Sequence, residues 1–353
     1  MNPRHTLIVA PLILLLLIPV SAADWAQWRG PNRDGSVDTD ITEWPKSLTR
    51  KWRVAVGEGH ASPVVAGKHV FVFSRQGDRE VARCLELKTG KEVWLKQYDA
   101  PYKMHPAARG HGKGPKSTPL VAGGRLYTFG ISGILTCFDA AKGRVLWRKD
   151  FTKTYKNSSP LYGTATSPIL HKGLLIVHVG GHNKGALIAL DAKTGAEKWT
   201  WDEDGPGYAS PVILKAAGVE QLVTQTQNSI LGVDPATGRA LWQIPYKTGY
   251  DQNCVTPLVH GEHVIVSGYG NGADCYAFRK VGLRIRPRKV WTTQQISMYM
   301  STPVLSGKAM FGLSHRNSGE LFCASPKTGK VFWTGKRRFA KNAALIAAGN
   351  AIL

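Results

Sequence analysis

Short runs of alternating apolar and polar residues, separated by glycine-bearing turns, recur along most of the chain. The first unit has such runs at Val64 to Val65, Val70 to Phe73 and Val81 to Leu87, and a fourth run carries Trp94. Alternation with a period of two predicts strands, and the repeated part has no long stretch with the 3.6-residue period of a helix. Each unit therefore predicts four short strands, with a polar loop at 74–79 in the first unit.

Two sequence markers repeat in phase with these runs. The first is a hydroxyl residue before proline, with spacings of 56, 49, 43, 46 and 46 residues, at Ser62, Thr118, Ser167, Ser210, Thr256 and Thr302. The second is a tryptophan four residues after a turn glycine, at Trp94, Trp147, Trp199, Trp242 and Trp333. A further copy ends at Trp291, with its turn expanded by 281–288. Repeats of about 40–45 residues with four strands each predict an all-β fold, a β-propeller of four-stranded antiparallel blades.

The repeat also carries a family resemblance. The segment from Leu187 to Trp199, with the sequence Leu-Ile-Ala-Leu-Asp-Ala-Lys-Thr-Gly-Ala-Glu-Lys-Trp, resembles the tryptophan-docking repeat of the PQQ-like, quinoprotein-type propellers. That family includes the outer-membrane assembly propeller BamB and the quinoprotein alcohol dehydrogenases. The resemblance runs from about Trp52 to the C-terminus, and Asp24 to Pro31 is similar to the mature start of exported bacterial members. It implies seven to eight blades and leaves function open, because the family contains both enzymes and scaffolds.

Three segments are expected along the chain: a signal peptide at 1–23, an N-terminal lead-in at 24–50 and the propeller domain at 51–353. Arg4, a 15-residue apolar run and the small residues Ser21-Ala22-Ala23 are typical of a cleaved export signal. The apolar run is shorter than the ~20 residues that span a membrane, so we expect cleavage rather than a membrane anchor. The mature chain is then exported, to a periplasmic or extracellular location.

The repeat units are incomplete at both ends of the propeller domain. Trp52 lies in a strand-like run with no inner strands before it, and six complete units precede a partial seventh that begins at 343–347. Because an unpaired sheet edge is a liability, we expect the chain to be truncated at its C-terminus. The alternative is that a strand at 51–54 pairs with 351–353 and closes a thin seventh blade.

Alternating connections place two kinds of loop on opposite faces of the ring. The loops between blades, and those between the second and third strands, share one face and are long and polar, whereas the tight turns share the other. The candidate ligand-binding residues in the long loops are His111, Lys113, Lys116, His182, Lys184, Asp251, Asn253, His315 and Arg316. Because a ring projects these loops toward one mouth, we expect a cationic, histidine-bearing funnel for an anionic or carbonyl-bearing ligand. The alternative is that they are ordinary polar loop residues.

The repeated residues themselves have structural explanations. We expect the six repeat tryptophans to be blade markers docked on neighbouring blades, and the hydroxyl residues to satisfy local backbone groups. Cys84, Cys137 and Cys323 each lie ten residues before a marker tryptophan, in a position that holds Ala189 and Gly232 in other units. Equivalent positions on different sheets are at least ~10 Å apart. A disulfide needs Cα atoms within about 7 Å, so we expect free thiols.

The net charge of +22, from 46 Lys and Arg against 24 Asp and Glu, is the feature that the fold does not explain. It suits an anionic glycan or lipid surface, whereas export argues against a nucleic-acid partner. Basic runs such as 284–289 also occur simply as solvated faces.

Catalytic signatures are weak in this sequence. The large quinoprotein enzymes, which the resemblance brings in, carry adjacent cysteines, a calcium site and a catalytic aspartate, and this chain has no Cys-Cys pair. The segment 202–205 lacks the spacing of a calcium loop, and the histidines lack zinc spacing, so we predict no catalytic and no metal residues. We expect an exported, monomeric, non-catalytic platform that binds or assembles envelope proteins. The alternative is a PQQ-dependent dehydrogenase or quinone-binding protein, with PQQ implied by resemblance only.

Overall fold

The computed structural model describes residues 24–41, 43–336 and 338–353, so the predicted signal peptide at 1–23 lies outside the described residues. The described residues form six four-stranded sheets, each with its strands in chain order, and one three-stranded sheet that joins the two ends of the chain. The predicted fold class, an all-β propeller of four-stranded antiparallel blades, is confirmed.

The strands follow the sequence repeat, and each four-stranded sheet is one blade. Blades 1 and 2 consist of Val64–Ala66, His69–Gln76, Arg79–Glu86 and Glu92–Asp99, then Leu120–Ala122, Arg125–Phe129, Ile134–Asp139 and Val145–Asp150. Blades 3 and 4 consist of Ile169–His171, Leu174–Gly181, Lys184–Asp191 and Glu197–Trp201, then Val212–Ala216, Val219–Gln225, Ser229–Val233 and Ala240–Pro245. Blades 5 and 6 consist of Leu258–His260, His263–Gly268, Gly272–Val281 and Arg284–Thr293, then Val304–Ser306, Ala309–Ser314, Glu320–Ala324 and Val331–Thr334.

The remaining elements are short. The seventh sheet contains Ser36–Val37, Ala347–Ala348 and Ala351–Ile352, of which the first two pair in parallel. The loops contain 3₁₀ helices at Pro106–His111, Phe151–Lys153, Gly249–Asp251 and Arg316–Ser318. The four strands of each blade are therefore joined by successive hairpins, and the long loops connect one blade to the next.

Two hairpins are longer than the sequence suggests. In blade 1 the strand pairing continues to Gln76 and Arg79, so the predicted polar loop at 74–79 is a strand pair closed by Gly77-Asp78. In blade 5 the expected turn expansion at 281–288 is a longer hairpin. The sequence does not predict these extensions because their residues are polar. Backbone hydrogen bonds can extend a hairpin even where its side chains face water.

A repeated tryptophan contact joins neighbouring blades. Each indole lies over the turn glycine of the next blade and donates to the carbonyl three residues before that glycine, as in Trp94, Trp147, Trp199 and Trp291. Trp199 packs on Gly238, and its Nε1 donates to the carbonyl of Pro235 at 3.1 Å. A Cβ added at Gly238 would lie 2.4 Å from this ring, so only glycine allows the approach.

Trp52 makes the same contact with blade 1. Its indole lies over Gly90 and donates to the carbonyl of Leu87 at 2.9 Å, so Trp52 docks like the last strand of a preceding blade. The described run at 51–54 forms no strand, however, and Ala351–Ile352 pairs within the seventh sheet. The domain boundaries and the expected truncation stay predictions.

Two marker tryptophans depart from this contact. The lengthened hairpin of blade 5 removes the usual turn glycine, so Trp242 packs at a tilt against Phe278, with ring centroids 4.8 Å apart, and donates to Gln221 Oε1. Trp333 is 47% exposed. The contact therefore depends on the turn of the following blade and not on the tryptophan alone.

All five cysteines are free, and four fill a common position. Cys84, Cys137 and Cys323 lie directly opposite their marker tryptophans across a strand pair, next to a β-bulge. Cys275 lies opposite Trp291 in the same way, although the longer hairpin hides this spacing in the sequence. A small side chain is needed at this position because the indole lies over it.

The hydroxyl residues before proline connect blades to one another, so the expectation of local partners is wrong. The Ser167 N–H donates to Ser210 Oγ at 2.9 Å, and the Thr118 N–H donates to Ser167 Oγ at 3.0 Å. The N–H groups of Ser62 and Thr256 donate in the same way to the hydroxyls of the next blades. These hydroxyls link the inner strands around the axis, where short sheet edges meet.

The lead-in crosses the centre of the ring, which the sequence does not predict. We name residues 24–37 the axial plug. Its backbone carbonyls accept hydrogen bonds from three inner strands, namely from Val65 to Trp25 (2.9 Å), from Val121 to Ala26 (2.8 Å) and from Ala347 to Gly35 (2.8 Å). These contacts attach the plug to blades 1 and 2 and to the seventh sheet.

Side chains of the plug reach the other four blades. The Arg33 guanidinium is buried and donates to the carbonyls of Pro168 and Pro211, in blades 3 and 4. The remaining contacts run from Trp28 Nε1 to Thr256 Oγ1 and from Arg29 to the carbonyls of Thr302 and Pro303. Burial lowers the pKa of Arg33 to about 9, so it stays protonated at neutral pH. The plug thus binds the inner edge of all seven sheets.

Removal of a docked indole should destabilise the ring. Trp199→Ala deletes a buried ring and its hydrogen bond, so the free energy of unfolding should fall by about 3–5 kcal/mol. Chemical denaturation followed by circular dichroism measures this loss. Trp333→Ala is the matched control and should cost clearly less, because that ring is half-exposed. Equal stability of Trp199→Ala and the unsubstituted protein would contradict the docking assignment.

Removal of the buried guanidinium should loosen the axis. Arg33→Met leaves the carbonyls of Ser167, Pro168 and Pro211, at the entry to the inner strands, without this donor. The free energy of unfolding should therefore fall by about 3 kcal/mol. Arg50→Met, at an exposed position of the same lead-in, should change it by less than about 0.5 kcal/mol. Thermal and denaturant unfolding of both variants provide the comparison, and equal losses would argue against the plug.

Candidate functional site

A cavity of about 610 Å³ lies at the axis on the face of the long loops. We name it the axial cavity. Trp25, Trp28 and Arg29 of the axial plug form part of its lining and close the channel beneath it. Every loop that leads into a blade contributes, in chain order through His60, Lys116, Tyr162, Tyr208, Cys254, Met300 and Asn342. The cavity therefore exists only when the whole ring is assembled.

One wall combines cations with an aromatic ring. Lys116 Nζ donates to the backbone carbonyl of Tyr162, which holds the ammonium group at the cavity wall. His60 Nε2 lies 2.9 Å from the carbonyl of His111, so this nitrogen carries a proton and donates. The His111 ring packs edge-on against Tyr162 at 5.3 Å. This wall offers several donors to a ligand.

Burial changes the protonation of these groups. It lowers the pKa of Lys116 to about 8, so the ammonium form still dominates at neutral pH. Burial also lowers the pKa of His111, and the nearby charges of Lys116 and His60 lower it further. At neutral pH the wall therefore presents one ammonium cation beside a neutral imidazole, which suits an anion or a carbonyl oxygen.

A tyrosine continues this wall. Tyr208 packs edge-on against Tyr162 at 5.9 Å, and its hydroxyl accepts from the Tyr162 N–H at 3.3 Å. His182 Nε2 lies 3.2 Å from the same hydroxyl. Burial raises the pKa of Tyr208 above its ordinary range, so the phenol stays protonated. The ring is thus held in place as a neutral hydrogen-bonding surface.

Only some of the nine predicted ligand-binding residues meet at the cavity. His111 and Lys116 line it, and His182 contacts its wall through Tyr208. The carboxylate of Asp251 acts on His182, where it opposes the lowering of the histidine pKa by burial. Lys113 is not part of the lining.

The other four predicted residues serve different parts of the loop face. Asn253 is fully buried, and its amide donates to the carbonyls of Thr226, Gln227 and Tyr246, so it holds the connection between blades 4 and 5. His315 stacks on Tyr269 at 5.0 Å in a separate aromatic cluster with Tyr299. Arg316 donates to Gln294, and Lys184 is exposed at a strand end.

Sequence reasoning missed the floor of the cavity. Trp25, Trp28 and Arg29 belong to the lead-in, for which the sequence predicts no role at the axis. One signal was available, since two tryptophans and two arginines occur within the nine residues 25–33. Such residues are unusual in a solvated linker, because a large ring needs a surface to bury against. Cys254 and Met300 carried no comparable signal.

The lining does not suit a calcium–quinone centre. Among the described residues that line the axial cavity, none is Asp or Glu, so carboxylate ligands for calcium and a catalytic carboxylate are both missing. Cys254 is the single cysteine in this lining, and burial raises the pKa of its thiol to about 12. A thiol with that pKa is a poor nucleophile at neutral pH.

Two further observations apply to the described part of the chain. Within 24–41, 43–336 and 338–353, His, Cys, Asp and Glu form no group of three suited to bind a metal ion. No helix in these ranges has the length and apolar character needed to cross a membrane.

The fold and the cavity together define a tryptophan-docked β-propeller with a loop-lined cavity at its axis. A family model described as "Outer membrane protein assembly factor BamB" matches residues 78–335. The chain belongs to this family, and the predicted PQQ-like propeller resemblance is confirmed.

Relatives of known sequence include both assembly factors and enzymes. The outer membrane protein assembly factor BamB of Yersinia pestis is 25% identical over 209 residues, which are 56% of this chain and 48% of the relative. BamB of Burkholderia pseudomallei is 24% identical over 275 residues, 66% of this chain and 70% of the relative. The quinohemoprotein alcohol dehydrogenase of Comamonas testosteroni is 26% identical over 144 residues, 40% of this chain and 19% of the enzyme. The chain thus spans about half the length of the Yersinia relative.

Solved structures support the fold alone. BamB from Moraxella catarrhalis aligns with a TM-score of 0.57 and 18% identity, over 84% of this chain and 78% of that one. The quinohemoprotein alcohol dehydrogenase from Comamonas testosteroni aligns with a TM-score of 0.52 and 14% identity, over 94% and 76%. The propeller framework is therefore shared with both an assembly factor and an enzyme.

Anion binding in the axial cavity should depend on Lys116. Since this lysine loses its proton as the pH rises through about 8, affinity for a carboxylate probe such as succinate should fall above that pH. Above this pH the affinity should fall by about tenfold per pH unit. Lys116→Gln should bind succinate weakly, with an affinity that does not change across this pH range. Lys113→Gln, on the same loop outside the lining, should keep the profile. Calorimetric titrations across this pH range decide, and an unchanged profile in Lys116→Gln would contradict the assignment.

Proposed function

We propose that this chain is an exported, non-catalytic binding platform of the bacterial cell envelope. In this proposal the axial cavity receives an anionic or carbonyl-bearing segment of an envelope protein. The observation that carries the proposal is the convergence of all seven blade-entry loops on one cation-bearing cavity above the plug. A rigid ring that holds variable loops over one mouth is a common arrangement for binding.

The chemistry of the lining supports a polypeptide segment as the ligand. Lys116 supplies a charge for a carboxylate, while His111 adds a hydrogen-bonding group for a backbone carbonyl. Tyr162 and Tyr208 add amphipathic ring surface, which is enriched where proteins bind each other.

Family membership supports the same role. The matching model and the Yersinia and Burkholderia relatives are described as assembly factors of the outer membrane. We transfer from them the general role of an envelope assembly platform, with a protein as partner. The dehydrogenase alternative has less support, because the described lining of the axial cavity offers no carboxylate to bind calcium or to act as a base.

Partner capture with matched variants tests the proposal. Purified protein is immobilised and exposed to an envelope extract at low salt, and the retained proteins are quantified by mass spectrometry. Lys116→Gln combined with His111→Gln should lose at least about ninety per cent of the specific partner, because the ammonium charge and the imidazole ring of the cavity are removed. Raised salt should weaken capture by the unsubstituted protein.

The control separates the cavity from general surface charge. Lys113→Gln removes the same charge three residues away and should retain the partner. Equal loss in both variants would assign capture to net charge and contradict the proposal. Equal retention in both would place the partner elsewhere on the ring, and oxidation of an alcohol by the protein loaded with PQQ and calcium would overturn the non-catalytic role.

A further inference from the structure

A lengthened hairpin in blade 5 extends from the face of the tight turns. Its strands, Gly272–Val281 and Arg284–Thr293, have ten residues each, whereas the third and fourth strands of blade 1 have eight each. The corresponding strands of blade 6 have only five and four residues. The turn Gly282-Leu283 therefore projects beyond the tight turns of the neighbouring blades, on the side opposite the axial cavity.

The strand pairing places four arginines on one side of this hairpin. We name them the arginine face: Arg279, Arg284, Arg286 and Arg288. Residues directly opposite each other in an antiparallel pair share a side, and alternate residues along a strand do too. The other side carries Phe278 and Ile285, which are buried in the cluster around Trp242 of blade 4. The arginine face is consequently the solvent side, and all four side chains are exposed.

The fold does not use these charges. Across the described ranges, none of the four guanidinium groups forms an ion pair with a carboxylate. Arg279 lies directly opposite Arg286, and like charges in this position disfavour the strand pair. The ion pair from Lys289 to Asp274, at 3.0 Å, lies on the other side of the hairpin. Four guanidinium groups on one exposed side, unpaired within the described ranges, leave this hairpin free to bind an external anionic partner.

The tip of the hairpin is apolar. Leu283 is 92% exposed and Val281 is 48% exposed, next to the arginine face. Exposed leucine beside arginine is typical of segments that lie in the membrane interface, where the apolar group enters the acyl boundary and the cations stay with the headgroups. Carboxylates of an acidic protein would pair with the arginines but would offer nothing to Leu283.

We propose that the arginine face and Leu283 dock the propeller on an anionic lipid surface. The guanidinium groups bind headgroup phosphates, for which their planar, two-pronged geometry is well suited, and Leu283 inserts between the headgroups. Because the hairpin lies on the opposite face, the axial cavity then opens away from the membrane. The proposal is independent of what the cavity binds.

Vesicle binding of charge variants tests this docking. Sedimentation measures binding to vesicles of phosphatidylcholine alone and to vesicles that also contain phosphatidylglycerol. The unsubstituted protein should bind only the anionic vesicles at low salt. Arg286→Gln combined with Arg288→Gln should weaken binding by about fivefold for each arginine, roughly 25-fold in all. The Tm of this double variant should equal that of the unsubstituted protein or lie slightly above it, because the removed side chains are exposed and one like-charge pair disappears.

The matched control carries the same charge change on the same face. Lys142→Gln combined with Arg144→Gln alters an ordinary tight turn of blade 2 and should change vesicle binding by less than about twofold. Equal weakening by both pairs would overturn the proposal in favour of diffuse net charge. Binding to polyglutamate without binding to anionic vesicles would assign the hairpin to an acidic protein instead, and would also overturn it.

A label at the tip tests insertion directly. Leu283→Cys labelled with nitrobenzoxadiazole should shift its emission to the blue on addition of the anionic vesicles, because the dye leaves water. Lys142→Cys with the same label should show no shift. An unshifted label at position 283 on bound protein would exclude insertion of the tip.

Discussion

The inner edges of the blades impose the constraint on which this structure depends. Each blade ends at the axis in a short edge strand, and buried backbone N–H and C=O groups there must find partners. The axial plug supplies backbone partners to six of the seven sheets, through the carbonyls of Trp25, Ala26 and Gly35 and through the guanidinium groups of Arg29 and Arg33. It reaches blade 5 through the hydroxyl of Thr256, which accepts from Trp28 Nε1. Hydroxyls such as Ser167 and Thr302 link neighbouring edges around the plug. Closure at the centre therefore requires residues from a segment that precedes the repeats.

Closure of the axis also explains where a ligand can bind. The plug forms the floor of the axial cavity, and the long loops form its wall, where Lys116 and Tyr208 lie. The docked tryptophans hold the outer ends of the blades, as Trp199 does on Gly238, so the loops are carried by a rigid frame. The opposite face has short turns, apart from the blade 5 hairpin. The molecule thus has two chemically different ends, with a cavity at one and a cationic projection at the other.

The fold was predictable because its signals are local and repeated, whereas the site was not. Alternation and marker tryptophans recur in every four-stranded unit, and the turn glycine recurs in all of them except blade 5. Each of these signals follows from contacts close in sequence or between adjacent blades. The bonds of Arg33 to Pro168 and Pro211 join residues 135 and 178 positions apart, and no local pattern reports such pairings. The sequence predicts which face of the ring each loop lies on, but it does not predict which loop side chains point into the cavity. His111 and Lys116 turn into the cavity, whereas Asn253, chosen on equal grounds, is buried in the frame.

Amide hydrogen exchange tests the closure of the axis most directly. The amides of Val65, Val121 and Ala347 donate to the plug, so their exchange reports whether the plug stays bound in the folded protein. If closure holds the ring together, these three amides should exchange only through global unfolding, at the same free energy as the blade cores. Fast exchange at all three, with the blade cores still protected, would mean that the plug opens freely and that the ring is held without it.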